Sequence, residues 1–113
     1  MTEFDPEKFE EKYVHYLPEL ERAYRDAFEH MNDRYDSELV HAIDQQVLDD
    51  SEPVYEGDGH FRVVLPEDPV DRLDAVLVPD GKAEETITIY ADRIETELRR
   101  IFGFEDGDDR DSE

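Results

Sequence analysis

The chain has no cysteine, and three of its 113 residues are lysine: Lys8, Lys12 and Lys82. The first absence excludes a disulfide framework, a thiolate metal site and a cysteine nucleophile, which leaves His, Asp and Glu as the side chains able to hold a metal. No apolar run approaches the roughly 20 residues that span a bilayer. Met1 to Pro6 shows no basic region followed by an apolar stretch, so a soluble, cytoplasmic protein with no membrane contact is expected. Basic stripes are missing as well. The nearest is Arg99-Arg100, flanked by Glu95, Glu97 and Glu105, so a nucleic-acid backbone is not an expected partner.

What the chain has in excess is acid: 34 Asp and Glu against 12 Lys and Arg, a formal net charge of −22. Such self-repulsion must be offset from outside the chain, and concentrated salt does so by shortening the Debye length to about 3 Å at 1 M. A protein that requires high intracellular salt is expected. The preference for Arg over Lys fits, because a guanidinium is less strongly hydrated and pairs carboxylates bidentately. Acidity alone would suggest disorder, yet six Tyr, six Phe and 37% hydrophobic residues fall in periodic groups, as a packed core requires. The length suits one domain.

Asp5-Pro6 is a helix start, since Asp accepts from free backbone amides and Pro fits the first turn. Phe9, Tyr13, Leu17, Leu20, Tyr24, Ala27, Phe28, Met31 and Tyr35 then recur at three- and four-residue intervals on one stripe. The stripe keeps phase across Pro18, which predicts either a long helix kinked there or two nearly collinear helices. Asp36-Ser37 starts a second helix with Leu39, Val40, Ile43 and Val47 as its apolar face.

Val54 to Leu65 reads as a β-hairpin turning at Gly57-Asp58-Gly59. Asp68-Pro69 repeats the helix start, and Val70, Leu73, Val76 and Leu77 are spaced for a third helix. Thr86 to Tyr90 alternates like a strand that could pair with residues 75–78. Ala83, Ile87, Tyr90, Ala91, Ile94, Leu98, Ile101 and Phe102 also fit one helical face, and length favours the helix. Gly103 occupies a helix C-cap position. The expected fold is a helix-rich α+β domain over residues 1–104: an N-terminal helical pair, a central hairpin and two C-terminal helices. Residues 105–113, with six acids and no apolar side chain, predict a disordered acidic tail.

Chemistry-bearing constellations are sparse. Glu38-x-x-His41 has the spacing of a carboxylate-bridged helical metal site, but such sites need two copies and further Glu, and a solvated helix face explains the pair. His60 begins a strand beside Asp58, which could orient an imidazole, although a plain hairpin turn explains both. Gly57-x-Gly59 lacks the third glycine and following helix of a dinucleotide fingerprint. No cofactor or metal is expected. Tyr13, Tyr16, Tyr24, Phe28 and Tyr35 could line a groove between helices, with a core stripe the favoured alternative. Tyr16 and Ile89 lie off their stripe centres and are candidates for a partner-facing surface.

Four segments carry a family resemblance: Phe4 to Tyr16, Tyr35 to Leu48, the turn Tyr55-Glu56-Gly57-Asp58-Gly59, and Glu97 to Phe104. Together they resemble a small haloarchaeal family of unknown function. The resemblance implies a saline habitat and a single domain across residues 1–104, and transfers no activity. The function expected from the residues is a non-enzymatic protein-interaction or regulatory module that binds a protein partner or itself. The competing expectation is a small enzyme or ligand binder using the hairpin around Asp58 and His60.

Overall fold

Asp5 accepts a hydrogen bond from the Glu7 amide (2.9 Å) with Pro6 at the first helical position, so a helix begins where the Asp-Pro pair places it. The computed structural model describes residues 4–73 and 78–104. Its elements are α1 (Pro6–Phe9), α2 (Lys12–His15), α3 (Leu17–Arg34), α4 (Ser37–Gln46), β1 (Glu52–Gly57), β2 (His60–Val64) and α5 (Asp80–Ile101), with 3₁₀ turns at Leu48–Asp50 and Val70–Arg72.

The N-terminal stripe is not one kinked helix or a collinear pair. It is cut twice, at Glu11 and Tyr16, whose backbones leave the helical region. Pro18 then falls in the first turn of α3, where a missing N–H costs nothing, and its ring no longer opposes a helical carbonyl. The break also redirects Tyr16, whose hydroxyl accepts from the Asp5 amide at 2.9 Å.

α4 is capped by Asp36, which accepts from the Leu39 amide, and buries Leu39, Val40, Ala42 and Ile43. The hairpin is antiparallel, pairing Pro53 with Val63 and Tyr55 with Phe61, and a register irregularity falls between Tyr55 and Gly57. β2 alternates cleanly: Phe61 and Val63 point into the core, His60, Arg62 and Val64 out. Gly57, Asp58 and Gly59 all have positive φ, which two glycines and an aspartate tolerate.

The expected third helix is a single 3₁₀ turn over Val70–Arg72. Asp68 has positive φ rather than a capping geometry, and Leu73 turns extended and ends the element; Val76 and Leu77 lie outside the described residues. Thr86 to Tyr90 is helical, inside α5, because Thr86, Ile87, Tyr90, Ala91, Ile94 and Leu98 form one continuous buried face against α3 and the hairpin. At its end the Phe104 amide bonds the Arg99 carbonyl (2.8 Å) and the Gly103 amide the Arg100 carbonyl (3.2 Å). With Gly103 at φ 81°, this is a Schellman motif, and it turns Phe104 back toward the hairpin. The acidic segment 105–113 lies outside the described residues.

The fold is thus a helix-rich α+β domain. At one end of its core, Phe4, Phe9, Tyr16, Tyr55, Phe61, Phe102 and Phe104 form a cluster of rings. The Phe4 ring centroid lies between 4.7 and 5.9 Å from those of six neighbours. Edge-to-face and tilted pairs dominate, as ring quadrupoles favour. The cluster joins three of the four segments that carry the family resemblance: the opening, the hairpin turn and the end of α5 with its cap.

Candidate functional site

Lys12 is buried although it belongs to a four-residue helix on the surface. Its Nζ sits 2.9 Å from Glu52 Oε2 and 5.3 Å from the ring centroids of Phe9 and Tyr13. The carboxylate and the two aromatic faces compensate the ammonium for lost water. This contact ties α2 to the start of β1 and holds Tyr13 beside it.

Tyr13 is consequently 56% exposed, its neighbour Val14 77% and Leu17 40%. All three lie where α2 gives way to α3. Tyr13 and Leu17 border a groove of about 300 Å³ whose walls also include Leu20, Tyr24, Leu48 and Pro53, with Glu21, Asp49 and Ser51 at its polar edge. A second groove, about 270 Å³, is lined by Tyr24, Asp44, Gln45, Leu48 and Asp49. The two share Tyr24, Leu48 and Asp49, so they meet as one trough with an apolar end and an acidic end.

Tyr24 stands at the junction. Ser51 Oγ gives its proton to the Leu48 carbonyl (2.7 Å), which leaves Tyr24 to donate to Ser51 Oγ at 3.0 Å. Burial pushes the Tyr24 phenol up to about 12, so it acts as a fixed donor and apolar wall. At the acidic end, burial raises the Asp44 carboxyl above its usual range; His41 and the Tyr90 hydroxyl oppose the rise, and the neighbouring charge of Asp49 adds to it. The Tyr90 hydroxyl is buried facing Asp44, and it too is raised, first by burial and then by the Asp44 charge.

The residues singled out from the sequence fall elsewhere. Tyr16 is not partner-facing: the break before α3 turns its ring inward, 5.0 Å from that of Phe102. Ile89 is half-buried and walls a separate groove of about 530 Å³ with Leu65, Pro69 and Ile87. Asp58 and His60 are both exposed, and no hydrogen bond or ion pair joins them among the described residues. Glu38 and His41 are exposed on α4, His41 resting edge-on against Phe28 at 4.9 Å. Among the described residues no three His, Asp or Glu side chains gather as a metal would need. Tyr13 and Tyr24, two of the five aromatics considered for a groove, do line one. Val14 and Leu17 were not singled out as surface residues, because their exposure follows from a helix break that periodicity does not register.

The elements that build the aromatic cluster and the trough span nearly the whole chain, and so does its match to a family. The chain belongs to the family of unknown function DUF5783, whose sequence profile matches residues 1–105. No curated protein and no solved structure matches it. Membership in DUF5783 therefore carries no activity to this site. Among the described residues no helix of this DUF5783 member is long and apolar enough to cross a membrane.

Proposed function

We propose that this protein is a non-enzymatic interaction module of a haloarchaeal cytoplasm, working in high salt and binding a protein through the face formed by Tyr13, Val14 and Leu17. The observation that carries the reading is the exposure of these three apolar side chains, two of which, Tyr13 and Leu17, line a groove that continues inward. An isolated exposed apolar residue is ordinary, whereas two at an apolar groove with a third adjoining Tyr13 in sequence form a patch that association would cover. The acidic composition supports the saline setting, since it keeps the remaining surface hydrated where salt screens repulsion. Ile89, on the other groove, is a secondary contact point in the same reading.

A photo-crosslinking residue at position 14, with one at Glu29 as a control on an exposed face away from the grooves described, tests this in native-salt lysate. The expected result is a discrete adduct from position 14 that disappears with Leu17→Asp. Equal labelling from both positions, together with a monomer by light scattering, would overturn it.

A further inference from the structure

The trough has two ends of different chemistry, and this specifies what can occupy it. The end lined by Tyr13, Leu17 and Pro53 is apolar. The other presents Asp44 and Asp49, with Gln45, and the described residues lining both grooves include no Lys or Arg. The nearest lysine, Lys12, is buried and engaged by Glu52. Neighbouring acids are also engaged: Asp50 pairs with Arg72 and Glu52 with Lys12. Among the described residues Asp44 and Asp49 have no ion-pair partner, and His41 is the one basic side chain whose charge acts on Asp44.

We infer that the trough docks a cationic amphipathic segment of another protein, whose apolar side chain enters between Tyr13, Leu17 and Pro53 while an arginine meets Asp44 and Asp49. The inference rests on the interaction reading above and deepens it. Asp44 is half-buried beside Asp49 with only the exposed His41 and the Tyr90 hydroxyl favouring its ionised form, and a guanidinium delivered by a ligand adds a permanent charge with bidentate geometry. Charge complementarity also disfavours a second copy. A two-fold contact sets the patch against itself, so acid would face acid with no cation from either chain. An acidic or neutral partner would likewise bury Asp44 and Asp49 without compensation.

The test is selection of a phage-displayed random-peptide library on the immobilised full chain in molar KCl, where diffuse attraction to the net charge is screened. Four proteins are compared: wild type, Leu17→Asp, Asp44→Asn/Asp49→Asn, and Glu29→Gln/Asp33→Asn. The last removes the same two charges from exposed positions on α3 that line none of the grooves described. Circular dichroism verifies that each is folded.

Wild type should enrich peptides that combine Arg with Leu or Phe. The best of these, synthesised with a fluorescent label, should bind the Asp44/Asp49 variant about tenfold more weakly and the Glu29/Asp33 variant unchanged. Peptides that depend on Leu17 but bind equally well without Asp44 and Asp49 would overturn the cationic assignment and leave the interaction face standing. Enrichment that Leu17→Asp does not alter, or no enrichment at all, would overturn both.

Discussion

A Cβ placed on Gly59 would stand 2.9 Å from Cδ1 of Phe104, so the hairpin turn and the last residue of the α5 C-cap are in direct backbone-to-ring contact. Gly59 is buried, has φ 77°, and donates its amide to the Tyr55 hydroxyl at 2.9 Å. Gly59→Ala should therefore destabilise the fold by about 2 to 4 kcal/mol, combining left-handed strain with displacement of the ring. Gly57, also at positive φ, has open space where a Cβ would go, so Gly57→Ala should cost about 1 to 2 kcal/mol. Chemical denaturation of the two variants in molar KCl checks the difference; equal losses would show that the ring contact contributes nothing.

Glu97 should be the least replaceable carboxylate of α5. It is buried, and it accepts from Arg93 Nη2 at 2.7 Å and Arg100 Nη1 at 3.3 Å. Glu97→Ala leaves Arg93 partly buried without its counter-charge and is expected to cost about 3 kcal/mol. The exposed Arg22–Asp26 pair on α3, at 3.6 Å, supplies the contrast, with Asp26→Asn changing stability by less than about 1 kcal/mol. Thermal melts of both variants give the comparison.

The pH dependence near the trough has a defined sign. Burial holds the Asp44 carboxyl above its ordinary 3.8, and burial likewise raises Glu95, which accepts from the Val63 amide, above 4.5. The folded state then binds protons more tightly than the unfolded state. Their contribution to stability is full below the ordinary values and is lost as pH rises through the folded ones. His30 acts oppositely: burial and then Arg93 lower it below 6.5, so its contribution is lost as pH falls below that value. Asp44→Asn should raise the melting temperature at neutral pH and flatten the decline that begins above pH 3.8. An unchanged slope in melts from pH 4 to pH 7 at constant KCl would remove Asp44 as a source.

Salt should act on the folded domain rather than on the acidic end of the chain. Stability is expected to rise with KCl, and truncation after Phe104 should leave that dependence largely intact. Most acids lie within residues 1–104, on helix starts, turns and faces opposite the apolar stripes. Circular dichroism during salt titration of both proteins is the measurement. Full folding in low salt would overturn the inference of a saline habitat.

Local chemistry was legible wherever one residue type decides a backbone conformation. Asp5-Pro6 and Asp36-Ser37 start helices, Gly57 and Gly59 turn the hairpin, and Gly103 closes α5. The apolar stripe of α5 was legible for the same reason, although Thr86 to Tyr90 alternates well enough to suit a strand. Helix was selected there by the buried face shared with α3. Asp68-Pro69 misled, because an Asp that takes positive φ cannot cap.

By itself, the sequence determined the class of fold, the starts and stops of its longest helices and a charge that points to salt, since each depends on neighbours close along the chain. The tertiary structure alone decided where that surface becomes a site. Phe9, Tyr13 and Leu17 share one helical stripe in the sequence. Yet Phe9 is buried among rings from both ends of the chain, while Tyr13 and Leu17 border the trough. The two breaks that separate them bring Tyr16 inward to Phe4 and Phe102 and Lys12 onto Glu52. Among 34 acids, what sets Asp44 apart is burial facing Tyr90 of α5, a relationship that no spacing along the chain encodes.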